Sequence, residues 1–171
     1  MTQINYPYLP ERREIKYVDS DNFYMQTARE FSKNNSTDRL QPTGSVIVKD
    51  NKIIGEAANV IPLTNPRLVE MHKNGLCTRK LLKVKTGTKY WLCPGCAKYS
   101  DHSEQRAIKL AKKNGFDIKG ADLYLYGHWW CCKPCWDKII EAGIRDVYLL
   151  KESERLFNSQ CPENILGKNF K

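Results

Sequence analysis

Two short stretches constrain this chain more than anything else in it. "HSEQRAIKL" begins at His102, and "WWCCKPCWDKII" follows about thirty residues later with Cys132 and Cys135. Each opens a helix: Ala107, Ile108 and Ala111 can face a core in the first, and Gly143 stops the second. His102 and Glu104 fall in the first turn of one helix, and a Cys-x-x-Cys pair stands at the entrance of the other. A pair of that spacing at a helix start turns both thiols towards one ion, and the positive end of the helix dipole favours thiolates. One imidazole and two thiolates leave the fourth tetrahedral position of zinc open, the arrangement of catalytic sites. Glu104, beside such a metal but not bound to it, is placed to move protons. Two helices that start at one ion need a compact scaffold behind them.

The flanking residues supply one. "ADLYLYG" reads as a strand between the two helices, and "IRDVYLL" as another after Gly143. A strand, a helix and a strand this closely spaced predict a parallel crossover. Upstream, "TGSVIVKDNKIIGEAAN" predicts a hairpin turning at Lys49–Lys52. "DSDNFYMQTAREFSKNNS" predicts a helix capped from Asp19 to Asp21, with Phe23, Met25, Ala28 and Phe31 as apolar positions. The whole chain, 1–171, is expected to form a single domain, with 1–18 an arm lying on it and 152–171 a tail that is mostly loop or a short edge element.

The stretch 61–101 breaks the pattern. It holds Pro62, Pro66, Gly75, Gly87 and Pro94 together with His72, Cys77, Cys93 and Cys96. A loop of that length inside a compact domain needs something to tie it down. His72-x4-Cys77 and the Cys93-Pro-Gly-Cys96 knuckle read as a closed structural zinc site. His72 is the favoured fourth ligand, with Cys131, Cys161 and His128 as alternatives.

Composition bounds the function. The seven cysteines are an odd number, which suits ligands better than a disulfide framework. The N-terminus lacks signal-peptide features and no apolar run is long enough to span a bilayer, so a cytoplasmic protein without membrane contact is expected. Net charge is +9, and seven Lys/Arg against the single acid Glu70 lie between Arg67 and Lys89. Such a patch attracts phosphate.

Taken together, "HSEQRAI" and "CKPCWDKIIEAGIRDVYLL", behind the hairpin "TGSVIVKDNKIIGEAAN", resemble the zinc-dependent cytidine and deoxycytidylate deaminase superfamily, and deoxycytidylate deaminases most. The likeness runs from about Thr43 to Leu150. It implies an α/β, three-layer α-β-α cytidine deaminase-like fold, with a mixed sheet opening on a β-hairpin and active-site helices starting at the zinc. It implies hydrolytic deamination with Glu104 as proton shuttle, His102, Cys132 and Cys135 as ligands of a catalytic Zn2+, and a nucleoside contact at Asn59, which read alone is equally a turn residue. Some deoxycytidylate deaminases resemble this chain in carrying an additional zinc near the active site.

The chain departs from the family in two places. Cys131 stands where proline usually precedes the first cysteine, and the approach from Tyr124 is longer. Cys131 is therefore an alternative ligand to Cys132, although only Cys132 keeps two-residue spacing to Cys135. Ala57-Ala58-Asn59-Val60 replaces the Gly-Tyr-Asn-Gly of many allosteric relatives.

Three functions compete. The first is deamination of a small-molecule pyrimidine nucleotide, dCMP to dUMP, by a homo-oligomer. The second is a polynucleotide deaminase acting on single-stranded DNA or tRNA, with Trp129, Trp130 and Trp136 stacking on bases. The third, a zinc-binding interaction module with a dead site, is disfavoured because His102, Glu104, Cys132 and Cys135 are all present.

Overall fold

A computed structural model describes residues 6–85 and 87–166. The elements run β1 (Ile15–Val18), α1 (Phe23–Asn35), β2 (Gly44–Lys49), β3 (Lys52–Ala58), α2 (Pro66–Lys73), α3 (Thr78–Leu81), α4 (Ser103–Lys113), β4 (Asp122–Tyr126), α5 (Lys133–Glu141), β5 (Asp146–Leu150) and α6 (Ser153–Phe157). Five strands form one mixed sheet in the order β1-β5-β4-β2-β3. β4 and β5 are parallel, with Leu123 opposite Val147, as the strand–helix–strand spacing predicts. β2 is antiparallel to both β3 and β4. Asp50 and Asn51 turn the hairpin with φ of 49° and 60°, the left-handed pair that matches strand twist in a two-residue loop.

Period-two alternation divides the strands between two cores. Ile47, Leu123, Leu125, Val147 and Leu149 face one way, onto Ala107, Ile108 and Ala111 of α4 and Trp136 and Ile139 of α5. Val46, Val48, Tyr124, Tyr126 and Leu150 face the other, onto Met25 and Ala28 of α1 and Phe157 of α6. The result is the expected α-β-α layering. Both metal-side helices lie on one face, and their N-termini, at His102 and Cys132, come together at one end of it.

Four local expectations are corrected. Residues 15–18 of the presumed arm form edge strand β1, paired in parallel with β5. The cap of α1 is Asn22, whose side chain accepts from the Met25 amide, and not an aspartate between 19 and 21. The buried face of that helix is Met25, Ala28 and Ser32, whereas Phe23 is exposed. The tail contains α6, with Ser153 and Phe157 buried; its Gly167 lies outside the described residues. Within 61–101 two short helices form, the first because Asn65 caps it and Pro66 supplies a preset φ at its start.

Candidate metal centre and active-site cleft

His102 is the N-cap of α4, and its Nδ1 lies 3.6 Å from Cys132 Sγ and 3.5 Å from Cys135 Sγ. Cys132 is the N-cap of α5, and Cys135 sits in its first turn. These three donors form one cluster; His72, Cys77, Cys93 and Cys96 form the other, the donor atoms in each lying within 4.8 Å of one another. Zinc geometry can be tested against the spacings. Bonds of about 2.3 Å to sulfur and about 2.05 Å to nitrogen put tetrahedral S and N about 3.6 Å apart and two S atoms about 3.8 Å apart. The first cluster fits on both S–N distances. In the second, Cys77 Sγ is 3.9 Å from Cys93 Sγ and 3.7 Å from Cys96 Sγ, and His72 Nε2 is 3.7 Å from Cys96 Sγ. Both donor sets suit zinc: three ligands with an open side in one, four and closed in the other.

Electrostatics divide each cluster: burial pushes Cys135 well up and lifts Cys96 to about 12, whereas Cys132 and Cys93 are lowered. Hydrogen bonding from Cys135, then His102, outweighs the cost of burial and brings the Cys132 thiol down to about 6. Burial works against a charged His102 ring, but Cys132 beside it and the Ala97 backbone more than compensate, and its pKa rises. In the closed cluster, burial opposes ionisation of Cys93, yet backbone N–H groups of Thr78 and Gly95 prevail and lower it. Burial holds His72 neutral, as a ligand must be. Gly95 is required in the knuckle: a Cβ there would stand 2.3 Å from the His72 ring. Arg79 fastens the cluster from outside, donating to Cys96 Sγ at 3.6 Å and to the Thr88 carbonyl at 3.0 Å, with its guanidinium 4.1 Å over the Tyr90 ring. Tyr90 in turn meets His102 edge-on at 5.3 Å, so the closed cluster braces the open one.

The open cluster faces a cleft of about 740 Å3, lined by His102, Cys132 and Glu104. Glu104 is 5% exposed; the Ser103 hydroxyl donates to its Oε2 at 3.2 Å, and Ser45 donates to Ser103 at 2.8 Å. Asn59 also lines the cleft, but its side chain is engaged. Oδ1 accepts from Ser36 at 2.6 Å and from the Thr43 amide at 2.9 Å, while Nδ2 donates to the Gln41 carbonyl at 3.0 Å. Cys131 is fully buried and outside the metal cluster. Cys161 and His128 lie outside both clusters as well.

Of the seven basic residues between Arg67 and Lys89, the cleft lining includes Arg79 and Lys80. Arg79 is engaged as above, and Lys80 has no ion pair among the described residues. Trp136 is core, 1% exposed, so it cannot stack on a ligand; Trp129 and Trp130 do line the cleft. Sequence reasoning missed Asp38, whose burial lifts its carboxyl to about 6, and the tail wall from Glu154 to Leu166. The Ser36-Thr37-Asp38 run carries the usual signal of a polar turn; nothing in the tail signalled a cleft wall.

Residues 18–151 match the family described as the cytidine and deoxycytidylate deaminase zinc-binding region. No curated protein matches the chain. Among solved structures, a diaminohydroxyphosphoribosylaminopyrimidine deaminase/5-amino-6-(5-phosphoribosylamino)uracil reductase from Thermotoga maritima is 27% identical with a TM-score of 0.43, over 74% of this chain and 28% of that one. The chain thus spans less than a third of that protein. A dCMP deaminase from cyanophage S-TIM5, in complex with dCMP and dUMP, is 22% identical with a TM-score of 0.46, over 77% and 82% of the two chains. A structure from a study of A-to-I editing by tRNA:A34 deaminases is 23% identical with a TM-score of 0.36, over 63% and 58%.

Proposed function

The chain belongs to the cytidine and deoxycytidylate deaminase zinc-binding family, and from that premise we propose that it hydrolyses the 4-amino group of a free cytosine nucleotide, dCMP, to give dUMP and ammonia. The observation that carries this reading is the joining of three features in one cleft: the His102–Cys132–Cys135 donor set, the buried Glu104 and the unpaired Lys80. His102, Cys132 and Cys135 hold the catalytic zinc. When bound, it supplies the Lewis acidity that makes a water acidic near neutral pH. Glu104 takes a proton from the attacking water and delivers it to ring N3. It then carries a proton to the exocyclic amine, so that the C4–N bond breaks and ammonia leaves. Ser103 and Ser45 fix the carboxylate for both transfers. Lys80, at the exposed side of the cleft, meets the 5′-phosphate, and Asn59 holds the loop 36–43 that walls the sugar side. His72, Cys77, Cys93 and Cys96 hold a second, structural zinc. With three thiolates and one Zn2+ the cluster carries about one negative charge, which leaves the surrounding segment positive.

A polynucleotide substrate is favoured by one observation: Trp91, 72% exposed, follows closely on the lysine-rich segment that ends at Lys89. Comparing kcat/KM for dCMP, deoxycytidine and a cytosine-containing oligonucleotide at two salt concentrations tests both readings. dCMP is expected to be turned over much better than deoxycytidine. Equal rates for these two defeat the phosphate contact, and a preference for the oligonucleotide that collapses in high salt moves the assignment to nucleic acid.

A further inference from the structure

The segment "GHWWCC", which leads from β4 to Cys132, places a histidine in the cleft lining. Gly127 follows β4 with φ of +90°, and a Cβ on it would stand 2.1 Å from the Pro42 carbonyl oxygen. The chain therefore turns there against the loop before β2, and His128 emerges in the cleft lining beside the metal-side residues. Its ring is fixed from three sides. Nδ1 accepts from the Trp129 amide at 3.1 Å and from the Trp130 amide at 3.3 Å. The Trp130 ring packs edge-on against the imidazole at 4.6 Å, and Tyr6 packs on Trp130 at 4.7 Å. With Nδ1 accepting, the proton sits on Nε2. Burial, then the nearby His102, lowers the ring's pKa to about 3, so the ring is a neutral donor. Among the described residues Nε2 has no hydrogen-bond partner, and His128 is only partly buried in the cleft lining.

A donor of fixed tautomer and fixed aim, in the cleft that His102 and Cys132 also line and without a partner, suits an acceptor on the substrate. We propose that His128 Nε2–H donates to the carbonyl oxygen at C2 of the cytosine ring, so that it orients the base and helps select a 2-oxo-4-aminopyrimidine. This rests on the deaminase reading and refines it. Two arguments favour the base over the phosphate. His128 lies on the segment that runs into Cys132, whereas the exposed Lys80 on α3 is the cation available to an anion. A neutral imidazole also suits a neutral carbonyl better than a dianion. The C2 oxygen is conjugated with N3, where negative charge develops as water adds at C4. A donor there gains strength as the reaction proceeds, and its loss falls on kcat more than on KM.

The test measures ammonia release per bound zinc for wild type, His128→Ala and His128→Gln. Substrates are dCMP, deoxycytidine and 2-thio-deoxycytidine, whose sulfur is a weaker acceptor. His128→Ala is expected to keep its zinc and to lose roughly 10- to 100-fold in kcat on dCMP and on deoxycytidine alike. His128→Gln, which retains an N–H donor, should recover part of that loss. Wild type should discriminate against the 2-thio analogue, and His128→Ala should not. The proposal is overturned if His128→Ala stays within about twofold of wild type, since one such bond is worth about tenfold. A loss confined to dCMP would make the acceptor the phosphate and also overturns it, as does 2-thio discrimination that survives in His128→Ala or, should that variant not fold, in His128→Leu. Failure of the parent reading looks different: wild type itself would release no ammonia.

Discussion

Glu104 is tied down by a relay of hydroxyls, Ser45 to Ser103 to Oε2, and stands outside the His102–Cys132–Cys135 donor cluster. Glu104→Ala is therefore expected to keep the fold and the full zinc complement and to lose turnover by about 10²–10⁴-fold; near wild-type activity would remove Glu104 from the mechanism. Much at this scale was legible. His102, Cys132 and Cys135 meet as their spacing predicts, and the choice of Cys132 over Cys131 follows from helix geometry. Residue 132 is the N-cap, and its thiol joins Cys135 in the donor cluster, whereas Cys131 is buried outside it. Asn59 was less legible. An asparagine at a strand end looks alike whether it waits for a ligand or clamps a loop, and here both its polar atoms are engaged. Trp136 illustrates the opposite error, since composition counts a tryptophan near a metal without saying which helix face it occupies.

At the scale of elements, the second cluster turns a patternless stretch into a brace. Cys93 closes the knuckle and follows directly on the Tyr90–Leu92 turn that sets Tyr90 against His102. Cys93→Ser should reduce bound zinc from two ions to one per chain. It should also destabilise the protein well beyond the about 1 kcal/mol of a typical point mutant, because metal binding and local folding are coupled. Metal analysis that finds one ion in wild type, unchanged in the variant, sinks the structural site. A gentler change tests α1: Asn22→Ala removes the cap acceptor for Met25 and should cost about 1 kcal/mol in denaturant unfolding. An unchanged midpoint would return capping to the aspartates upstream. The hairpin and the β4–α5–β5 crossover were readable because period, turn residues and length all agree there. α6 was not, because five residues make no periodic signal, and this helix depends on seating Phe157 against Tyr126.

At the scale of the whole molecule, the cleft is assembled from distant parts of the chain: Tyr6, Asp38, the α3 segment, the two metal-side helix starts and the tail. Sequence reading grouped the two donor sets that the structure brings together because each set is local, but it could not tell which loops close over them. Charge was legible only in bulk. Of the basic stretch, Lys80 is the unpaired cation at the cleft, so Lys80→Ala should raise KM for dCMP by roughly tenfold or more and leave deoxycytidine unchanged. That difference should shrink as salt is added; equal effects on the two substrates would place the phosphate elsewhere. The central claim, that a zinc held by His102, Cys132 and Cys135 serves a deaminase, is tested most directly by ammonia release from dCMP. Wild type and Cys135→Ala are compared, with zinc counted in each. The account predicts one ammonia per dUMP formed by wild type, and a variant short of one zinc with turnover abolished. Fully zinc-loaded wild type that releases no ammonia, or a Cys135→Ala variant that works as well without that zinc, would contradict it.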